Sequence, residues 1–272
     1  MAGVALAVLS IVGSGCGGRG PAALRGDPTA VVRAAAGRTL GAGVAHVDVS
    51  VAADLAGSGT VNLGAGRGSF SFQRVGAQAF TNDHFDVVVD GDREWVRAGG
   101  PAGGLPGTTA ERPWIAGGPG PVATAASPRV GALASLLVRP GLGTGLAFLR
   151  GATKVFPYGG EEVRGVNTYR YSLVVDLALA AASSPDQRAA LDAAAAAIGP
   201  VQWPADVWLD ADGRVRRLQM AEDPRARTTT TKANLLFAKE GNFLALTNLT
   251  FFDFGTAPPA PPPGPDASVD AS

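Results

Sequence analysis

The sequence predicts an α+β fold in which antiparallel strands dominate and short helices cover the apolar face of the sheet. Three observations predict it. Apolar residues alternate with polar ones in strand-length runs, as in Val47, Val49, Val51, Ala53 and Leu55 against His46, Asp48, Ser50, Ala52 and Asp54. Gly-rich or Asp-Gly turns such as Gly64-Ala65-Gly66 and Asp90-Gly91 separate successive runs, which makes neighbours hairpins. A Leu-rich stretch at helical spacing then divides an early set of strands from a late one.

Taken in order, residues 1–15 read as a signal segment. Ala2 to Val12 is uncharged and apolar but shorter than the roughly 20 residues a membrane-spanning helix needs. Small residues then lead into the single cysteine, Cys16, in the manner of a bacterial lipobox, where a diacylglycerol is added to the thiol. The competing reading is a structural cysteine after an ordinary N-terminal helix, which Gly-rich flanks disfavour. Residues 16–26 form a flexible tether, and lipidated Cys16 would hold the chain on the extracytoplasmic face of the cell membrane. The G-x-G-x-x-G match at Gly13–Gly18 follows no strand and is no dinucleotide loop.

The folded domain is expected over 27–255. Asp27-Pro28 opens a helix that Gly37 should end. Strands follow at Val47–Leu55 and about 58–64, 68–75, 78–90 and 93–98, then a long loop over 99–126. Ser127-Pro128 starts a helix carrying Val130, Leu133, Leu136 and Leu137, and Gly141 to Arg150 a second with Leu142, Leu146, Phe148 and Leu149. Strands resume at 153–163 and 166–176, and a capping box at Ser184-Pro185-Asp186-Gln187 opens an Ala-rich helix to Ile198. A hairpin turns at Asp212-Gly213, and two strands at 227–239 and 243–254 complete the domain. Residues 256–272, rich in Pro, Ala, Asp and Ser, should be disordered.

Composition narrows the function. With 272 residues, 46% hydrophobic and 17% charged, the chain can bury one substantial core. Lys plus Arg and Asp plus Glu number 23 each, for a formal net charge of +0, and no basic run offsets that balance, so nucleic acid is excluded as a partner. One Cys and two His, His46 and His84, build no metal cage, and no cofactor is expected. No G-x-S-x-G elbow supplies an activated serine, the histidines read as solvent-facing, and Glu161-Glu162 point to opposite faces of a strand, so no catalytic residue is assigned. Asp210-Ala211-Asp212-Gly213 places its Gly too early for a calcium loop and reads as a turn. Arg214, Arg216 and Arg217 read as an exposed strand face, with anionic lipid headgroups as the alternative.

The order of these elements, together with Gly165-Val166-Asn167-Thr168-Tyr169-Arg170-Tyr171, Asp206-Val207-Trp208-Leu209-Asp210-Ala211-Asp212-Gly213-Arg214 and Phe252-Asp253-Phe254-Gly255, resembles the actinobacterial LppX/LprAFG-type lipoproteins over most of residues 16–257. The resemblance implies a LolA/LolB-like half-barrel with helices in its mouth. It also implies a lipid or acylated glycolipid bound in an apolar cavity, with a possible envelope transporter protein as partner and no enzymatic activity. The residues expected to line that cavity are Leu133, Leu136, Leu137, Leu142, Leu146, Phe148 and Leu149, with Val49 and Val51 from the sheet. The helices either leave that cavity part empty or fill it. A tethered scaffold without lipid cargo is the alternative.

Overall fold

The computed structural model describes residues 21–51, 55–74, 84–91, 93–99, 107–117, 143–189, 191–192, 195, 202–221 and 246–270. Its first helix, α1 (Pro28–Leu40), begins where Asp27 accepts a hydrogen bond from the Ala30 amide at 2.8 Å. It does not stop at Gly37, as the sequence suggested. Thr39 donates to the Ala35 carbonyl and accepts from the Val215 amide, which docks the last turn on the sheet and offsets the roughly 1 kcal/mol helix cost of a glycine.

The strands are β1 (Val44–Val51), β2 (Leu55–Asn62), β3 (Arg67–Arg74), β4 (His84–Asp90), β5 (Arg93–Gly99), β6 (Trp114–Gly117), β7 (Ala152–Val163), β8 (Val166–Asp176), β9 (Gln202–Leu209), β10 (Val215–Ala221), β11 (Leu246–Phe252) and β12 (Ser268–Asp270). They form one sheet in the order β12-β6-β5-β4-β3-β2-β1-β11-β10-β9-β8-β7. Every pair is antiparallel except β12 on β6. The sheet is open, since β12 and β7 do not pair, and curved, since apolar residues from β5 round to β8 join one core. The expected curved antiparallel sheet with short helices is therefore present.

Register explains several residues that local patterns misplace. Leu55 belongs to β2 rather than β1, because Val51 of β1 pairs with it. That register sets Gly57 opposite Phe72 and Gly59 opposite Phe70, and the two rings lie back over the glycines where any Cβ would collide. The β7–β8 turn uses Arg164 at φ 50 and Gly165 at φ 75, the paired left-handed conformations of a tight hairpin.

Four further expectations are corrected. The segment 99–126 is not loop throughout, because Trp114–Gly117 forms β6 beside β5. Ser184 caps no helix with its side chain; Asp176 does so instead, accepting from Leu179 at the head of a helix over Leu177–Ala182. Pro185–Gln187 is a 3-10 turn, with helical residues at 188–189 and 191–192. The tail is ordered from Thr256 to Asp270 and ends in β12. The expected helix over 127–139 and strand over 227–239 lie outside the described residues, as do Leu133, Leu136, Leu137, Leu142 and Cys16.

Candidate functional site

Alternation gives the sheet two unlike faces. On the inner one, Val47 and Val49, Phe70 and Phe72, Val87 and Val89, Val96, Leu173, Trp203, Val207, Leu218, Leu249 and Phe251 are buried in a single cluster. The described helices pack chiefly at one end of this face. α1 lies against β7 and β10, and a helix over Gly143–Ala147 with the 3-10 turn Phe148–Gly151 packs on α1 and β8. Gly151 is the close-approach point, where a Cβ would strike Asp176 and Ala180 of the next helix.

Of the residues expected to line a cavity, Leu146, Phe148, Leu149 and Val49 all enter this inner cluster, with Phe148 and Trp203 ring centroids 6.2 Å apart. Val51 is placed by register opposite Thr247 and Leu55. The structure adds residues the sequence reading did not select. Trp203, Leu249 and Phe251 arrive from late strands, and Glu94 is buried on the same side of β5 as Val96. The signal for Phe251 was its alternation with Leu249, hidden by the neighbouring Phe252.

Much of the outer face is polar, and its polar groups engage one another. One cross-strand row runs Arg170, Trp208, Arg217, Thr250, Asp48, Ser58, Ser71, Asp86 and Arg97. Within it Ser71 Oγ and Asp86 Oδ1 both meet His84 Nε2, at 3.1 and 3.0 Å. A serine relay needs the carboxylate on the other ring nitrogen, so this trio does not make a triad. Partial burial works against the Asp86 charge, but the Arg97 hydrogen bond and charge, with His84 and Ser71, hold its carboxyl below the usual carboxylate range. His46 also differs from a free solvent-facing histidine, since it stacks on Phe252 and meets Thr60 and Thr256.

The arginines of the β9–β10 hairpin are not a free strand face. Asp210, almost fully buried, accepts from the Asp212 and Arg214 amides and from the Nε of both Arg214 and Arg216. Both guanidiniums then lie over Phe254. Arg217 lies over Trp208, 5.4 Å from the ring centroid. Glu161 is likewise no mere surface charge. It accepts from the Trp208 indole at 2.7 Å and from Arg170, and although burial opposes its charge, these donors keep its carboxyl low. Beyond it Arg164 reaches Asp48 and covers Phe252, so the tip of the β7–β8 hairpin folds over the outer face.

No family model and no curated protein matches the chain. Among solved structures it is similar to LprF from Mycobacterium bovis, at a TM-score of 0.45 and 14% identity over 87% of this chain and 96% of that one. It is similar to the Mycobacterium tuberculosis lipoprotein LppX at a TM-score of 0.42 and 17% identity, over 84% and 95%. A putative outer membrane lipoprotein-sorting protein domain from Vibrio parahaemolyticus matches at a TM-score of 0.26 and 9% identity, over 83% and 90%. Likeness at this level carries no functional weight. The fold class rests on the sheet itself.

Proposed function

We propose that this chain is a lipoprotein of the cell envelope, anchored through Cys16, that binds and shuttles a lipid or acylated glycolipid on the concave side of its sheet. The observation that supports it is the inner face: a continuous buried apolar layer across a one-layer sheet, with Leu146, Phe148 and Leu149 of the Leu-rich segment in the same cluster. The process is partition rather than catalysis. Acyl chains leave water for apolar surface at about 0.8 kcal/mol per methylene, and the headgroup stays at the polar rim. An envelope transporter protein would deliver or receive the cargo.

Replacing Leu146 by Asp tests the reading, because a carboxylate there opposes acyl chains directly. Mass spectrometry of co-purifying lipids should show cargo on the parent chain and none on the variant, with the β circular dichroism signal retained. Parent chain repeatedly recovered lipid-free from a lipid-rich host would overturn the reading. For the anchor, Cys16→Ser should move the protein from the membrane fraction to the soluble one.

A second reading, a tethered scaffold without cargo, is favoured by one observation. Phe156 and Tyr158 are 64 and 49% exposed, and they stand two residues apart on β7 at the open edge of the sheet, as a protein-docking surface would. Loss of a bound partner protein on Phe156→Ser, with no lipid on any variant, would select it.

A further inference from the structure

The C-terminal segment crosses the outer face of the sheet along a second cross-strand row. Phe252, His46, Thr60, Ser69, Val88, Trp95 and Ala116 are successive register partners from β11 to β6. The tail follows that row. The Thr256 hydroxyl meets His46 Nε2 at 3.3 Å, the Ala260 amide donates to Ser69 Oγ at 3.1 Å, and Ser268, Val269 and Asp270 pair in parallel with Trp114, Ile115 and Ala116. Between the last two anchors lie β4 and β5, whose outward Val88 and Trp95 are buried with Ala116 in a cluster separate from the main core.

The tail sequence Thr256-Ala257-Pro258-Pro259-Ala260-Pro261-Pro262-Pro263-Gly264 suits this path. Thr256, Pro259 and Pro262 are half-buried, as is Pro263 next to the last of them, whereas 257, 258, 260 and 261 are exposed. That spacing is the three-residue turn of a polyproline II helix resting one edge on the sheet, and Gly264 has the matching φ −64 and ψ 161. At about 3.1 Å per residue, the steps from Ala260 to Gly264 advance about 12 Å, the same order as the roughly 14 Å across three strand spacings. Arginines line the far end. Arg112 donates twice to the Ser268 carbonyl, Arg93 lies over Trp95 and pairs with Asp270, and Arg97 lies over Trp114.

We propose that the outer face of β4–β6 is a recognition groove for extended proline-rich chains, closed at rest by the protein's own residues 256–270. Its parts are those such a ligand needs: tryptophans on which a preformed polyproline edge rests, the β6 edge now held by β12 to which the ligand would add a parallel strand in its place, and guanidiniums to take its carbonyl and carboxylate. The own segment is a competitor at high effective concentration, so an outside peptide binds only as far as the strap yields.

The test uses the full chain and a fluorescein-labelled peptide of residues 256–272. In Asp270→Arg/Val269→Pro the strap is weakened and the groove left intact. Fluorescence anisotropy should show the peptide binding this variant at least ten-fold more tightly than the parent, and hydrogen exchange should show β6 amides opened. Peptides carrying Pro259→Asp and Pro262→Asp should lose binding, while Pro258→Asp and Pro261→Asp should keep it. Trp95→Ala or the surface change Arg112→Ala, added to the strap variant, should each weaken it at least ten-fold. A concentration-dependent dimer of the strap variant, its tail held by a second copy, would also support the groove. Equal weak binding by parent and variant with β6 open, or β6 amides still protected in the variant, would overturn the proposal.

Discussion

The two faces of the sheet hold together by different physics. The inner face is aliphatic and aromatic, with Val47, Phe72, Leu249 and Phe251 buried side by side, and its stability comes from area removed from water. The outer face is a lattice of named pairs, Arg97 with Asp86, Arg164 with Asp48 and Arg170 with Glu161 and Asp206, crossed by the β7–β8 tip on one half and by the proline-rich tail on the other. Non-directional contacts set which side of each strand faces in, and directional ones fix what lies over the outside. Substitutions should therefore divide by face, in size and in their dependence on pH and salt.

The largest effect is expected inside. Phe148→Ala removes a ring packed against Trp203 and should cost about 3–5 kcal/mol in denaturant unfolding, insensitive to salt. Next comes Asp210→Ala, which leaves Arg214 and Arg216 without their buried carboxylate and should cost about 2–4 kcal/mol by the same measurement. On the outer face Arg164→Ala should cost no more than about 1 kcal/mol, shrinking further at high salt. An outer-face pair that outweighed Phe148 would mean that the two faces are not held by different forces.

Acid sharpens the difference. Asp86 and Glu161 ionise more readily folded than unfolded, so the stability they contribute is present above the ordinary carboxylate range of about 4 and is lost as pH falls through their lowered folded values. Thermal melts should therefore fall below about pH 4, and Asp86→Asn should flatten part of that drop. Phe148→Ala should leave its slope unchanged.

Local chemistry was legible where an element is decided by its own residues. Asp27 before Pro28, the Asp212-Gly213 turn and the paired Phe70 and Phe72 each announced themselves. Leu146, Phe148, Leu149 and Val49 were also readable as apolar positions of periodic elements, and the structure gathers them. What escaped depends on partners far along the chain. Proline has no amide for a ladder, so composition reads 256–272 as disordered, yet Ser268–Asp270 within it pair with a strand about 150 positions earlier, which no local pattern announces. Ser184 carries a good capping box but its side chain caps nothing, and its hydroxyl accepts from Arg150 instead. Arg214 and Arg216 read as exposed because their carboxylate, Asp210, is a hydrophobic strand's last neighbour and buries with it.

The apolar concave side is expected to take up lipid. Native mass spectrometry of the Cys16→Ser chain, with and without added phospholipid, tests it most directly. The expected result is a discrete complex of one chain with one or two lipid molecules, lost in Leu146→Asp. A single lipid-free mass at every phospholipid concentration would contradict it.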